Sequence, residues 1–183
     1  MARRIAYTGA PVLTAQDIAT WRRNETVLLE AALLDNVIIP GVVAQAEART
    51  GAAIQEARYV EIWPPGRPSG HHLDIGQAKR IEAIDVLSAD GVPVPSGAVP
   101  YLQQEQRESY LHFAGGRPPG VLQITYLAGA DLAAYPSVRN WLLLHIGTVY
   151  AQRESLVIGA SVAELPSSFL DSMLSDITLP PRF

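Results

Sequence analysis

The chain has no cysteine, which removes both a disulfide framework and a thiolate metal site from consideration. No apolar run in it approaches the length that spans a bilayer. Behind the two arginines of MARRIAYTGAPVLTAQ there is no continuous apolar stretch, so the N-terminus makes a poor signal peptide. The expectation is a product that stays in a reducing cytosol where it is made. Charge of one sign is also scarce. The formal net charge is −4 and the basic residues are scattered, which argues against tight, sequence-specific nucleic-acid binding. What is present is apolar: hydrophobic residues make up 48% of 183, enough for one domain with a real core and too many for wholesale disorder. Fourteen glycines and fourteen prolines are many for a helical protein and predict several turns.

The clearest element is PSVRNWLLLHIGTVYAQRESLVIG, Pro136 to Gly159. Apolar side chains at Val138, Trp141, Leu142, His145, Ile146, Val149 and Tyr150 recur at three-and-four spacing, which predicts a helix from about Ser137 to Glu154. Pro136 suits a helix start. Gly147 in the interior costs about 1 kcal/mol against alanine, so it is read as the site of a close helix–helix contact. Thr14 and Asp17 have the spacing of a capping box, opening a short helix to Trp21 or Arg22. Asn24 caps a second helical stripe with apolar positions at 27, 28, 31, 34, 38, 42 and 46. Pro40 and Gly41 predict a kink or break in it, and Gly51 ends it in the left-handed conformation.

Between Ile54 and Gly129 the period changes to two. Strands are predicted over Gln55–Trp63, His71–Ile75, Lys79–Ser88 and Val121–Leu127, with a hairpin pairing Val99–Gln103 and Ser109–Ala114 around the EQRE tip. The prolines of residues 92–100 keep that segment out of a sheet centre. The expected fold is therefore α+β and mainly helical. Helices at both ends (14–51 and 136–154) pack together around an inserted antiparallel β region at about 55–128. Residues 1–163 form a single domain, and 164–183 an extended C-terminal arm. That arm is apolar at Ile177, Leu179 and Phe183 without a helix or strand pattern, as expected of a segment awaiting another surface.

No motif supports catalysis. His71-His72-x-Asp74 is the one cluster with metal-ligand residue types, but His72 and Asp74 alone do not complete a site; it reads as a polar strand end. His145 reads as a hydrogen-bonded core histidine, with no Ser or Cys nucleophile beside it in any recognisable motif. Gly115-Gly116-x-x-x-Gly120 precedes a strand and lacks the phosphate-loop lysine, so it reads as a turn. Asp85, Asp90, Glu105 and Glu108 read as solvated charges. No cofactor and no metal are expected, and the chain is read as a non-enzyme.

Three stretches resemble the head–tail connector (adaptor) family of tailed bacteriophages, HK97 connector-like and phiE125 connector-like. They are LTAQD (13–17) with the helix carrying TVLLEAALLDNVIIPGVVAQAEARTGAAI, the aromatic-proline end of the strand Tyr59 to Pro65, and the Pro136–Gly159 segment with its Pro-x-Val-Arg start and Tyr-x-x-Arg-Glu end. The resemblance implies a structural protein of the virion neck, made in the host bacterial cytoplasm. It would form a ring, expected to be a dodecamer, below the portal, link capsid to tail and continue the channel for genomic DNA. Implied partners are further copies of itself, the portal protein, the next neck or tail protein (stopper or tail terminator) and passing DNA bound without sequence preference; no membrane is implied. On this reading Leu165, Phe169, Leu170, Leu174, Ile177, Leu179, Arg182 and Phe183 are expected to contact the portal. Val138, Trp141, Leu142, Val149 and Arg153 are expected at the contact between subunits. Removing the residues after Pro166 would then leave a folded protein that fails to bind portal. Alternatives are another neck ring, a stopper or tail-completion protein, and a small ligand- or metal-binding α+β domain.

Overall fold

The structure, a computed structural model, describes residues 2–152 and 171–181. Its contacts divide into two units. One takes in the residues up to Ala10, Gly51–Ala130 and the segment from Ile177; the other takes in Pro11–Thr50 and the described part of Asp131–Asp176.

In the helical unit, the chemistry of the termini fixes the elements. Thr14 accepts the Asp17 amide on its hydroxyl while its own amide donates to Asp17 Oδ2 at 2.9 Å, so two orphan donors are satisfied and α1 (Ala15–Arg22) begins. Asn24 Oδ1 accepts the Thr26 amide at 3.0 Å and opens a 3-10 segment, Glu25–Glu30. The chain continues through a short α2 (Ala31–Leu33), a π-turn over Leu34–Ile38 and α3 (Ile39–Thr50). Pro40 explains the π-turn. It has no N–H for the Asn36 carbonyl and its ring crowds that turn; the Ile39 amide reaches back five residues to Leu34 O instead, widening the helix rather than breaking it. Gly51, at φ +68°, ends the run as expected.

Glu25–Thr50 is thus a 26-residue helical run, long and apolar enough by length and composition to cross a membrane. This corrects the expectation that no stretch reaches that length. Glu30, Asp35 and Pro40 interrupt each apolar run in the linear sequence, yet no more than two charged residues fall in its most apolar 18-residue stretch, which is therefore apolar on average. Its other side is core: Val27, Leu34, Ile38, Val42, Val43 and Ala46 are buried.

In α4 (Pro136–Gln152), Val138, Trp141, Leu142, Leu143, Ile146 and Gly147 are buried. A Cβ placed on Gly147 would lie 2.9 Å from Trp21 Cζ3, so glycine lets the α1 indole close onto α4. Arg139 pairs with Asp17 at 3.1 Å and Arg49 with Asp171 at 3.2 Å, and the Tyr150 hydroxyl donates to Glu30 at 2.5 Å.

The second unit carries eight strands: β1 (Arg3–Tyr7), β2 (Ala57–Trp63), β3 (His71–His72), β4 (Ala78–Leu87), β5 (Pro93–Pro95), β6 (Pro100–Gln104), β7 (Ser109–Phe113) and β8 (Leu122–Ala128). They form a five-stranded sheet in the order β1-β2-β8-β4-β5 and a three-stranded sheet in the order β3-β7-β6, with every neighbouring pair antiparallel. The inward phase of β2 (Ala57, Tyr59, Glu61, Trp63) is buried as its alternation predicts. With Leu73, Leu111, Phe113, Leu122, Ile124 and Tyr126 it makes one core. β6 and β7 pair across the 105–108 tip, and the proline-bearing β5 is an edge strand. Ser109 Oγ accepts the Ala78 amide and donates to Gln104 Oε1, whose amide in turn bonds the Ala78 carbonyl, tying the two sheets together.

The mainly helical expectation is therefore corrected. Among the described residues, α-helices of 8, 3, 12 and 17 residues stand beside eight strands in two sheets. The sequence hides this balance because several strands are short or proline-bearing and exist only through their partners.

Candidate functional site

Seen from its outer side, the Glu25–Thr50 run carries exposed residues at helical spacing: Leu29, Val37, Pro40, Gly41, Ala44 and Ala48. None is charged. Leu29 is 87% and Val37 60% exposed. Of the acids within the run, Glu30 is engaged by the Tyr150 hydroxyl and Asp35 by the Ala15 amide at 2.7 Å, both in the same unit. A Cβ on Gly41 would meet nothing within 4 Å. In the most apolar stretch of this run only 33% is buried within the chain. An exposed, uncharged stripe on a long apolar helix is the kind of face that a partner surface would cover. The sequence carries that signal as an excess of apolar positions around the whole helix, but spacing alone does not say which side stays open.

The residues expected at subunit contacts divide. Val138, Trp141 and Leu142 are interior side chains of their own unit, which corrects their reading as an interface surface: an amphipathic stripe is spent first on its own core. Val149 is 41% exposed, and Arg153 lies outside the described residues. The picture of a C-terminus without a partner in its own chain is corrected as well. Leu174 and Ile177 are buried. Leu179 fills the space over two glycines, its methyl carbons 3.0 and 2.9 Å from where Cβ atoms on Gly51 and Gly76 would stand. Leu165, Phe169, Leu170, Arg182 and Phe183 lie outside the described residues.

The polar cluster near His71 has a different centre from the one the sequence suggests. Glu61 is fully buried, and its carboxylate collects donors: Trp63 Nε1 at 2.7 Å, Arg67 Nη1 at 2.7 Å, the Asp74 amide at 2.9 Å and the Tyr126 hydroxyl at 3.3 Å. Burial raises the Glu61 pKa, and the Asp74 charge raises it further, against the opposing bonds from the Asp74 amide, Trp63 and Arg67. Burial, then the Glu61 charge, pushes the Tyr126 hydroxyl well above its ordinary range. His71 turns edge-on to Trp63 with ring centroids 5.7 Å apart, and its Nδ1 lies 2.9 Å from the His72 carbonyl. Among the described residues no group of three or more His, Asp or Glu side chains is placed to hold a metal ion. This network is built to fix a loop: Arg67 anchors the Pro64–Gly70 turn to β2, and Arg117 Nη2 bonds the carbonyls of Pro64 and Gly120 at 2.9 and 2.8 Å. The signal for Glu61 was a carboxylate in the inward phase of a strand. His145 stacks on Trp141, centroids 3.6 Å apart, and its pKa is lowered, chiefly by burial.

No family model matches the chain, and no curated protein is similar to it. Its fold is nevertheless found in solved structures. The chain matches one from the neck of an empty gene transfer agent particle computed with C6 symmetry, at TM-score 0.75 and 18% identity, over 100% of this chain and 97% of that one. It matches a chain of the virion of the native gene transfer agent particle at TM-score 0.76 and 19% identity, over the same shares. A third match, at TM-score 0.68 and 19% identity over the same shares, is in the neck of the native particle computed with C12 symmetry.

Proposed function

We propose that the chain is a structural, non-catalytic neck protein of a phage-like virion, and within the neck the head-to-tail connector (adaptor). It would form a ring below the portal, expected to be a dodecamer, and continue the DNA channel toward the next neck or tail protein. One observation carries this reading: the fold agrees end to end, 100% against 97%, with chains from gene transfer agent particles, including necks computed with C6 and C12 symmetry. A closed cyclic ring of identical subunits also gives the uncharged helix face a use. The net charge of −4 suits a conduit past which phosphates slide, since it supplies no excess of cations to hold them. Portal contact through the C-terminal segment is narrowed to Leu165, Phe169, Leu170, Arg182 and Phe183, because Leu174 and Ile177 are already buried and Leu179 packs over Gly51 and Gly76.

The test is electron microscopy of the purified protein mixed with its portal. A ring of this protein seated directly on the portal is the expected result, and a protein that stays monomeric and ignores the portal overturns the assignment. One observation favours a second reading, another neck ring such as a stopper or tail-completion protein: the chain is richer in strand than the adaptor resemblance implies. The same images separate the two, since a stopper would bind only below an intervening ring.

A further inference from the structure

We infer that the uncharged outer face of the Glu25–Thr50 run, centred on Leu29 and Val37, docks on α1 and α4 of a second copy of this chain. The inference rests on the ring reading above and names the surface that closes the ring. A cyclic ring joins two different patches of the same subunit, one on each neighbour. The first patch is the helix face, where Leu29 and Val37 stand out of the surface and Pro40, Gly41, Ala44 and Ala48 present little side chain. Small residues let a second helix approach closely, toward the short end of the usual 8–10 Å between axes. The second patch is on the same unit. Outside this run, the large apolar side chains that the described helical unit leaves exposed are Trp21 on α1 and Val149 on α4, 44% and 41% exposed.

The acids of the central turns do not oppose the contact. Glu30 and Asp35 are held by Tyr150 and the Ala15 amide of their own subunit, so no acid of the central turns needs to be stripped of water without a partner. A bilayer is the poorer occupant, although the run meets the length and composition of a membrane span. Its reverse side is packed on its own unit through Leu34, Ile38, Val42 and Val43, and α1 and α4 are tied to it by the Asp35 and Glu30 bonds, so it is not a free-standing span.

The test uses the full chain with Val37→Glu and, separately, Val149→Glu, both at exposed positions. Circular dichroism and thermal unfolding of each monomer should match wild type. Ring formation is followed by mass photometry and negative-stain imaging, with and without portal. Each variant is expected to need at least tenfold more protein than wild type to form rings. Rings from either variant at the wild-type concentration overturn this surface while leaving the ring reading intact. Absence of rings from wild type under all conditions removes the ring reading and this inference with it. The absence of native cysteine allows a second readout: Val37→Cys should react with a maleimide in the monomer and be protected at least tenfold in the ring, and equal labelling in both overturns the proposal.

Discussion

Glu61 Oε1 and Arg67 Nη1 lie 2.7 Å apart, the carboxylate wholly out of solvent and the guanidinium mostly so. They form the bridge between the floor of a β core and the Pro64–Gly70 loop above it. Arg67 also stands 3.6 Å from Asp74 Oδ1, so one cation serves two acids. Arg67→Met strands a buried carboxylate and is expected to cost about 3–5 kcal/mol. The double variant Glu61→Gln with Arg67→Met should cost less than the sum of the singles, because the groups act as one unit. Urea unfolding of the four proteins checks this, and additive effects would show the pair to be uncoupled.

Two titrating groups, the buried Glu61 and the half-buried His145, pull stability in opposite directions with pH. The Glu61 pKa is raised in the folded state by burial, so its contribution is full below the ordinary carboxylate range and is lost as pH rises through the folded value. His145 is depressed by burial; its contribution is present above the ordinary imidazole value of about 6.5 and is lost as pH falls through the folded value. His145→Gln should therefore flatten the loss of melting temperature between neutral and mildly acid pH. Glu61→Gln should not flatten it. Melting curves at a series of pH values distinguish the two.

Gly129 has no room for a side chain. A Cβ there would stand 2.7 Å from the Cα and 2.9 Å from the amide nitrogen of Glu56, and a Cβ on Gly9 would stand 2.7 Å from the Glu56 Cβ. Because the obstacle at Gly129 is backbone, Gly129→Ala should destabilise by about 1–3 kcal/mol. Gly147→Ala meets only the outer edge of the Trp21 ring and gains about 1 kcal/mol of helix propensity, so it should be the milder change. Thermal unfolding ranks them.

Ile177 is buried and Leu179 fills the space over Gly51 and Gly76. Ile177→Ala is expected to cost about 2–5 kcal/mol. Removal of the chain from Asp176 onward should lower the melting temperature rather than leave the rest unchanged. A truncated protein as stable as the full chain would show this packing to be dispensable.

Signals carried by near neighbours along the chain are legible in the sequence. The Thr14–Asp17 box, the Asn24 cap, the Gly51 terminator, the inward phase of β2 and the 105–108 hairpin are all interactions within a few residues. Gly147 was legible because a glycine inside a strong helix needs a reason, and Trp21 supplies it. The balance of helix and strand is not legible, because strands such as β1, β3 and β5 have five residues or fewer and take their identity from a partner. The Leu29–Val37 face was half legible, since its apolar excess was visible but its exposure was not.

By itself the sequence determined the local geometry: where helices start and stop, which strand residues share a face, and that a helix with few charges in its middle turns is greasy. Only the tertiary structure decided which of those greasy sides is covered, that the C-terminal Ile177 belongs to the interior, and that Glu61 draws donors from residues 13 and 65 positions away. The reason is physical. Capping and alternation are set by bonds and sterics among near neighbours, whereas burial is a relation between segments that meet only after the chain has folded.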